Sequence, residues 1–396
     1  MNGSILMFIC KGAKAMKNGK FTSTIIRMQY VPRWSEYAPR FEDNAASHSF
    51  RCAALAILIG IIEEKIVNRP MDKLKLLARC LWADLKNTGT GSIKYVTKKE
   101  SLVMSHIRSY ESELSKEIVS YLSKSLQPAA FDFIVNAQDD TPTGQLVDAI
   151  DMLDAFLYCH RESLFDTNPF FHHKREELRE ALLKTEIPSI GWLLMEFDKQ
   201  EGFYEFIQYI MNLDTVKRWN GSYNLVPDND ATHTFRVASL ALFNGLLEIH
   251  RFGNKSIDLY KLLAKAVLHD LPEALSGDVV SKFKHNNEEI KRAFEQYEQE
   301  TALLMVSKLP EWFHEDLIDF MVHSKSDNNE GEMVDIADKL DALIKASLEM
   351  RNNPHYADTY YNQLLTIQHR YENPCVIFFL AYILHDLTYS NLIGQS

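Results

Sequence analysis

The sequence predicts an all-α protein built as two tandem helical bundles, and three observations carry that prediction. Apolar residues recur at spacings of three and four through the long segments 51–66, 236–250, 259–268, 288–308 and 334–350. No run shows the sustained two-residue alternation expected of several strands. The chain also repeats itself at a nearly constant offset.

The repeat can be followed block by block. Arg33-Trp34 returns as Arg218-Trp219, and SHSFRCAALA from Ser47 returns as THTFRVASLA from Thr232. MDKLKLLARCLWADL from Met71 returns as IDLYKLLAKAVLHDL from Ile257. VDAIDMLDAF from Val147 returns as VDIADKLDAL from Val334, and Asn168-Pro169 as Asn353-Pro354. The offsets are 219−34 = 185, 233−48 = 185, 269−83 = 186, 338−151 = 187 and 353−168 = 185. Two copies of one domain follow, residues 1–198 and 199–396. At 396 residues the chain exceeds one typical core and suits two domains of about 200. Asp230 or Thr232 is the expected N-cap of the helix that carries His233.

Composition narrows the class. A hydrophobic content of 46% with 24% charged residues describes a soluble globular protein. The net charge of −11 provides no general field for nucleic acid or anionic membrane, so an anionic substrate needs a local cluster of cations. The five cysteines (Cys10, Cys52, Cys80, Cys159, Cys375) form no CxxC pair and sit mostly in apolar runs. Buried free thiols in a reducing, cytoplasmic setting are expected. The opening stretch MNGSILMFICKGAKAMKNGK has its apolar core ahead of its lysines, the reverse of a signal peptide. Like the tail stretch from Val376 to Leu384, it is shorter than the ~20 residues of a membrane span. Both are expected to be packed helices.

The chemistry concentrates in the second copy. The stretch LLAKAVLHDLPEALSGD runs from an apolar helix into His269 and Asp270, with Glu273 and Asp278 close behind. Adjacent ionisable side chains after an apolar run are costly unless something pairs them. A divalent metal accepts a neutral imidazole and a carboxylate together. His233 at the start of one helix and Asp338 on another complete a set of two imidazoles and two carboxylates. That set suits Mn, Fe, Co, Ni or Zn better than Ca, and such an ion brings the pKa of water towards neutrality. Taken singly, each residue has a structural reading: His233 as a core histidine, Asp278 as a turn residue after Gly277, and Trp219 as a core aromatic. Asp335 and Asp341 read as helix salt-bridge or capping residues. The pair His385-Asp386 has no partner histidine at a matching offset and is set aside.

The ordered set His233, His269-Asp270 and Asp338 on helices resembles the HD-domain metal-dependent phosphohydrolases. Arg218-Trp219 upstream, HDLPE, and Gly277-Asp278 followed by Lys284 narrow the resemblance to the YfbR-like 5′-deoxynucleotidase branch. The resemblance covers roughly residues 200–355 and, more weakly, 20–170. It implies that His233, His269, Asp270 and Asp338 hold one divalent metal ion (Mn, Co, Ni, Fe or Zn). Glu273 and Asp278 would handle protons and orient water. Arg218 would contact the 5′-phosphate, Trp219 would pack near the sugar, and Lys284 would be a second phosphate contact. The implied substrates are deoxyribonucleoside 5′-monophosphates, with no nucleic acid polymer and no membrane as partner. Hydrolysis of triphosphates, cyclic nucleotides or alarmones is the neighbouring enzymatic reading, and a nucleotide-sensing regulatory protein or a scaffold the non-enzymatic ones.

The first copy departs from the pattern. His48, Asp84 and Asp151 match His233, Asp270 and Asp338, but Ala83 stands in place of His269. Asn87 replaces Glu273 and Ser92 replaces Asp278, while Arg33-Trp34 remains. A catalytically inactive copy is expected, serving as an internal pseudo-dimer partner of a monomeric or weakly oligomeric chain, or as a nucleotide sensor.

Overall fold

A computed structural model describes residues 18–91, 93, 97, 100–165, 168–279, 281–284 and 286–389. The opening apolar stretch, Cys10 and Ser92 lie outside these residues. The first copy opens with α1 (Asn18–Arg27) and a two-residue antiparallel pair, β1 (Pro32–Arg33) with β2 (Asp43–Asn44). The long helices α2 (Ala45–Lys65), α3 (Lys73–Trp82), α4 (Ser101–Ser120), α5 (Pro142–Ser163), α6 (Pro169–Lys184) and α7 (Pro188–Asp198) follow. The second copy repeats the order with α8 (Gly202–Asn212), α9 (Asp230–His250), α10 (Leu259–Leu268) and α11 (Glu288–Val306). It continues through α12 (His314–Met321), α13 (Asn329–Glu349) and α14 (Ala357–Arg370) to a helical tail from Pro374.

The strand pair is too short to leave a periodic signal, yet it places the site. Arg33 pairs with Asp43 in its register. In the second copy the single bridge Lys217–Asn229 and the bond from Arg218 N–H to Asp228 O (3.1 Å) do the same. Each ties an Arg-Trp turn to the start of the next helix. The cap of α9 is Asn229, not Asp230 or Thr232: its side-chain oxygen accepts the Thr232 N–H at 2.9 Å. Asn44 caps α2 in the same way. Asp230 becomes the first helical residue and turns inward, fully buried.

Helices α2 and α9 are buried on all sides from Ala45 to Glu63 and from Asp230 to Glu248. They are not amphipathic stripes but central spines, which is why their apolar spacing shows no polar face. Helix α2 is long and apolar enough to cross a membrane, yet lies wholly inside the protein. The two spines pack on each other across the copies. Ser47 Oγ meets Thr232 Oγ1 at 3.1 Å, and Trp82 Nε1 donates to Ser239 Oγ at 3.2 Å. Phe21 packs on Phe243 with ring centres 5.6 Å apart. Fully buried side chains of this size contribute roughly 1.5–3 kcal/mol each, so the two copies share one core. Cys52, Cys80, Cys159 and Cys375 are buried free thiols. The tail buries Cys375, Val376, Phe379 and Ile383, as a packed helix should. His385-Asp386 belongs to that tail, and Asp386 packs against Gly19 of α1, where a Cβ would lie 2.4 Å from that of Asp386.

Candidate active site

Four parts of the second copy deliver side chains to one point. His233 comes from the first turn of α9, His269 from the end of α10, Asp270 from the turn after it, and Asp338 from the middle of α13. His233 Nε2 lies 3.3 Å from Asp270 Oδ2 and 3.3 Å from Asp338 Oδ1. His269 Nε2 lies 3.2 Å from Asp270 Oδ2. His233, His269 and Asp338 each present a donor atom within 4.8 Å of the others.

Both imidazoles are pre-oriented. His233 Nδ1 bonds to Asp341 Oδ2 at 2.8 Å, and His269 Nδ1 to Ala266 O at 2.9 Å. An acceptor at Nδ1 makes that nitrogen the N–H and leaves Nε2 as the lone pair. Both Nε2 atoms are buried with no hydrogen-bond partner. Two orphaned imidazole nitrogens beside two carboxylates are the donor set a first-row divalent ion takes, so the residues fit such an ion. The carboxylates favour any cation at this point: burial and Arg218 oppose a charge on His233, but Asp270, Asp338 and Asp341 together raise its proton affinity well above the usual, so a proton competes with an ion for Nε2. Burial likewise opposes ionisation of Asp338, yet Lys325 and His233 hold it well below the usual carboxylate range.

Arg218 reaches in from its turn. Its Nη1 lies 2.8 Å from Asp230 Oδ1, 3.3 Å from Asp270 Oδ2 and 4.0 Å from Glu273 Oε2. Trp219 sits in the left-handed region at φ 60°, with its ring centre 5.8 Å from that of Tyr356. Burial pushes Glu273 well above its usual range, and the charges of Asp270 and Asp230 add to it. Burial also pushes Asp230 up to about 6, against Arg218. Asp278 is raised chiefly by burial, with Arg218 pulling the other way and the Trp219 backbone bonded to its carboxylate. Lys284 is not drawn into this group: its ammonium pairs with Glu298 of α11.

Four residues escaped the sequence reading. Asp341, set aside there as a helix salt-bridge residue, orients His233, and Arg236 in turn holds Asp341 at 2.6 Å. Asp230 anchors Arg218. Lys325 Nζ lies 2.7 Å from Asp338 Oδ2. The first pair had a signal: His-x-x-Arg and Asp-x-x-Asp recur in both copies, including the one that lost a ligand.

The first copy keeps the scaffold and closes the cluster. His48 Nδ1 bonds to Asp154 at 2.6 Å, and Arg51 holds Asp154 at 2.6 Å. His48 Nε2 lies 2.9 Å from Asp151 and 3.3 Å from Asp84, so the imidazole itself clamps the carboxylates. Cys52 Sγ is 3.7 Å from both ring nitrogens, and His48, Cys52 and Asp151 each present a donor atom within 4.8 Å of the others.

The fold and this site define a predominantly helical protein built from two related halves, the second of which brings two imidazoles and two carboxylates to one point. A family profile described as "5′-deoxynucleotidase YfbR-like" matches the chain twice, at residues 20–200 and 205–387. The chain belongs to the YfbR-like 5′-deoxynucleotidase family. A 5′-deoxynucleotidase of Vibrio parahaemolyticus is 27% identical over 150 residues, 38% of this chain and 77% of that protein. One of Shewanella oneidensis is 26% identical over 172 residues, 43% and 88%. The crystal structure of an HD-domain phosphohydrolase from Listeria innocua matches with a TM-score of 0.44 at 25% identity, over 49% of this chain and 92% of that one.

Proposed function

We propose that the second copy removes the 5′-phosphate from deoxyribonucleoside monophosphates, with one divalent ion held by His233, His269, Asp270 and Asp338. The observation that carries this reading is Arg218, an anion-binding guanidinium 3.3 Å from Asp270 at the edge of the cluster. The ion, of the Mn, Fe, Co, Ni or Zn class, supplies Lewis acidity and a water of lowered pKa. The chain's own residues do the rest. Arg218 takes the phosphoryl oxygens and neutralises charge as it develops. Asp230 keeps that guanidinium in place. Glu273 enters with its proton held by its neighbours and gives it to the leaving 5′-oxygen as the P–O bond breaks. Asp278 accepts a proton from the attacking water. Trp219 packs against the deoxyribose. The acidic surroundings, in which Arg218, Lys325 and Lys339 are the nearby cations among the described residues and each is already paired with a carboxylate, suit a single phosphate better than a triphosphate. The first copy does not hydrolyse, because it lacks counterparts of His269 and Glu273.

The test is phosphate release from deoxy- and ribonucleoside monophosphates by metal-stripped protein, with Mn, Co, Ni, Zn or Mg restored, beside Asp270→Ala. Metal-dependent release from the deoxy substrates that disappears in the variant is expected. No release from any monophosphate, with metal bound, would overturn the reading.

A further inference from the structure

The first copy lost hydrolytic groups but kept the entrance. A cavity of about 140 Å³ opens over Arg33 and Trp34, lined also by Tyr37, Ala45, Asn87 and Thr90. Trp34 holds the same left-handed backbone as Trp219, φ 59° against 60°. A non-glycine residue in that region costs on the order of 1–3 kcal/mol and persists only where the surroundings impose it. The Trp34 ring is stacked on Tyr158 at 5.6 Å, and its other contacts leave it lining the cavity.

The charge around this arginine differs from that in the second copy. Arg218 is anchored by Asp230 at 2.8 Å, but the counterpart of Asp230 is Ala45. Arg33 pairs with Asp43 at 3.4 Å and Asp84 at 3.8 Å, with Asp151 and Asp154 also acting on its charge. The Trp34 Nε1 is a buried donor with no hydrogen-bond partner, whereas the Arg33 Nε has its ion pair with Asp43. Such a donor forfeits hydration without compensation, which a ligand acceptor restores. Asn87 in place of Glu273 removes a second carboxylate, and Lys86 in place of Pro272 adds a positive charge near Asp84. Asp230 and Glu273, which face Arg218, are therefore replaced by uncharged residues here while Asp43 adds a carboxylate, so Arg33 keeps two close carboxylates where Arg218 has three. Glu36 and Glu111 also line the cavity. Their oxygens accept from sugar hydroxyls and base amino groups, and they disfavour a longer polyphosphate.

We infer that the first copy is a non-hydrolytic binding site for a nucleoside 5′-monophosphate, with the phosphate on Arg33 and the nucleoside along Trp34 and Tyr37. The class of ligand rests on the function proposed above; the site itself does not. It makes the chain an enzyme with a second, metal-independent seat for its own kind of substrate, packed against the active copy.

The test is isothermal titration of the full chain in EDTA with dAMP, dGMP, dCMP and dTMP, and with deoxyadenosine and inorganic phosphate as controls. One nucleotide per chain is expected for at least one of the four. Arg33→Ala and Ala45→Asp should each weaken it at least tenfold, and Arg218→Ala should leave it within twofold. Ala45→Asp reproduces the arrangement already folded around Arg218, so its loss of binding does not reflect misfolding. No binding in EDTA, binding no tighter than that of inorganic phosphate, or binding lost through Arg218→Ala and not through Arg33→Ala would each overturn the site. Phosphate release with metal restored reads the other copy: release with no binding in EDTA overturns this inference alone, and binding without release overturns only the proposed function.

Discussion

Gln29 of the first copy accepts a hydrogen bond from the Arg236 guanidinium of the second at 2.9 Å. Arg236 holds Asp341, and Asp341 orients the imidazole of His233. The first half thus touches the chain of contacts that orients His233 in the other half. The exchange is mutual: Asp214 of the second copy lies 3.3 Å from Arg51 and 2.9 Å from Arg161 of the first. Gln29 and Asp214 are themselves repeat counterparts, 214−29 = 185.

Gln29→Ala leaves Arg236 without that acceptor. A hydrogen bond to a charged group is worth about 1.5–3 kcal/mol, so the thermal midpoint should fall by several degrees. Metal affinity should weaken too, by less than the tenfold typical of a direct change behind a ligand. Calorimetry with a chelator competition reads both. A lower midpoint with unchanged affinity would reduce Gln29 to a structural support.

Asp341→Asn removes the carboxylate behind His233 and should cost about 10–100-fold in metal affinity. Asp335→Asn is the control, because Asp335 pairs with Arg370 at 2.6 Å and with Tyr371, on another side of α13. Metal content after dialysis distinguishes them; equal losses in both variants would argue against a specific role for Asp341.

Metal binding should tighten as pH rises. The carboxylates around His233 raise its proton affinity well above the usual, despite burial and Arg218. An incoming ion must displace that proton. Below the raised pKa the proton competes; above it the competition ends. Chelator competition at a series of pH values from acid to mildly alkaline should show affinity climbing and proton release on binding. A flat profile would contradict this.

Glu273→Gln should lower kcat by about 10²–10⁴-fold while metal content stays unchanged. Burial and the neighbouring carboxylates keep Glu273 protonated beyond its ordinary range. The acid form is therefore present below the raised pKa, and activity should decline as pH climbs through it. That alkaline decline should vanish in the variant; its persistence would assign the limb to another group.

The helices were legible because both copies repeat them, and three of the four grouped residues, His233, Asp270 and Asp338, keep counterparts in His48, Asp84 and Asp151, with Ala83 opposite His269. Arg236 and Asp341 were in the same repeated blocks, but acids three residues apart on a helix also describe a solvated face, and burial cannot be read from spacing. Asp230 looked like a cap because its type is right; the cap fell one residue earlier, on Asn229. Lys284 was chosen for its place after Asp278, whereas the nearest cation on Asp338 is Lys325, in a loop without periodicity, with Lys339 at 3.9 Å. That loop closes because Gly331 has no side chain: a Cβ there would lie 2.0 Å from Ser326 O. Its counterpart Gly144 would meet Asp139 O at 2.0 Å. Such close approaches become visible only once the backbone is in place.

The contact of α2 with α9 has a consequence for how such a protein can change. In an assembly of two identical chains, replacing a ligand histidine strikes both sites at once, and the whole assembly falls silent. With both halves on one chain, the alanine at position 83 touches one site and spares the other. The first half still cannot drift freely, because its spine is also a wall of its neighbour. Its freedom lies in the cavity and its discipline in the seam, so novelty in this chain should gather around Arg33 and Ala45 and be scarce along Ser47, Trp82 and Gln29.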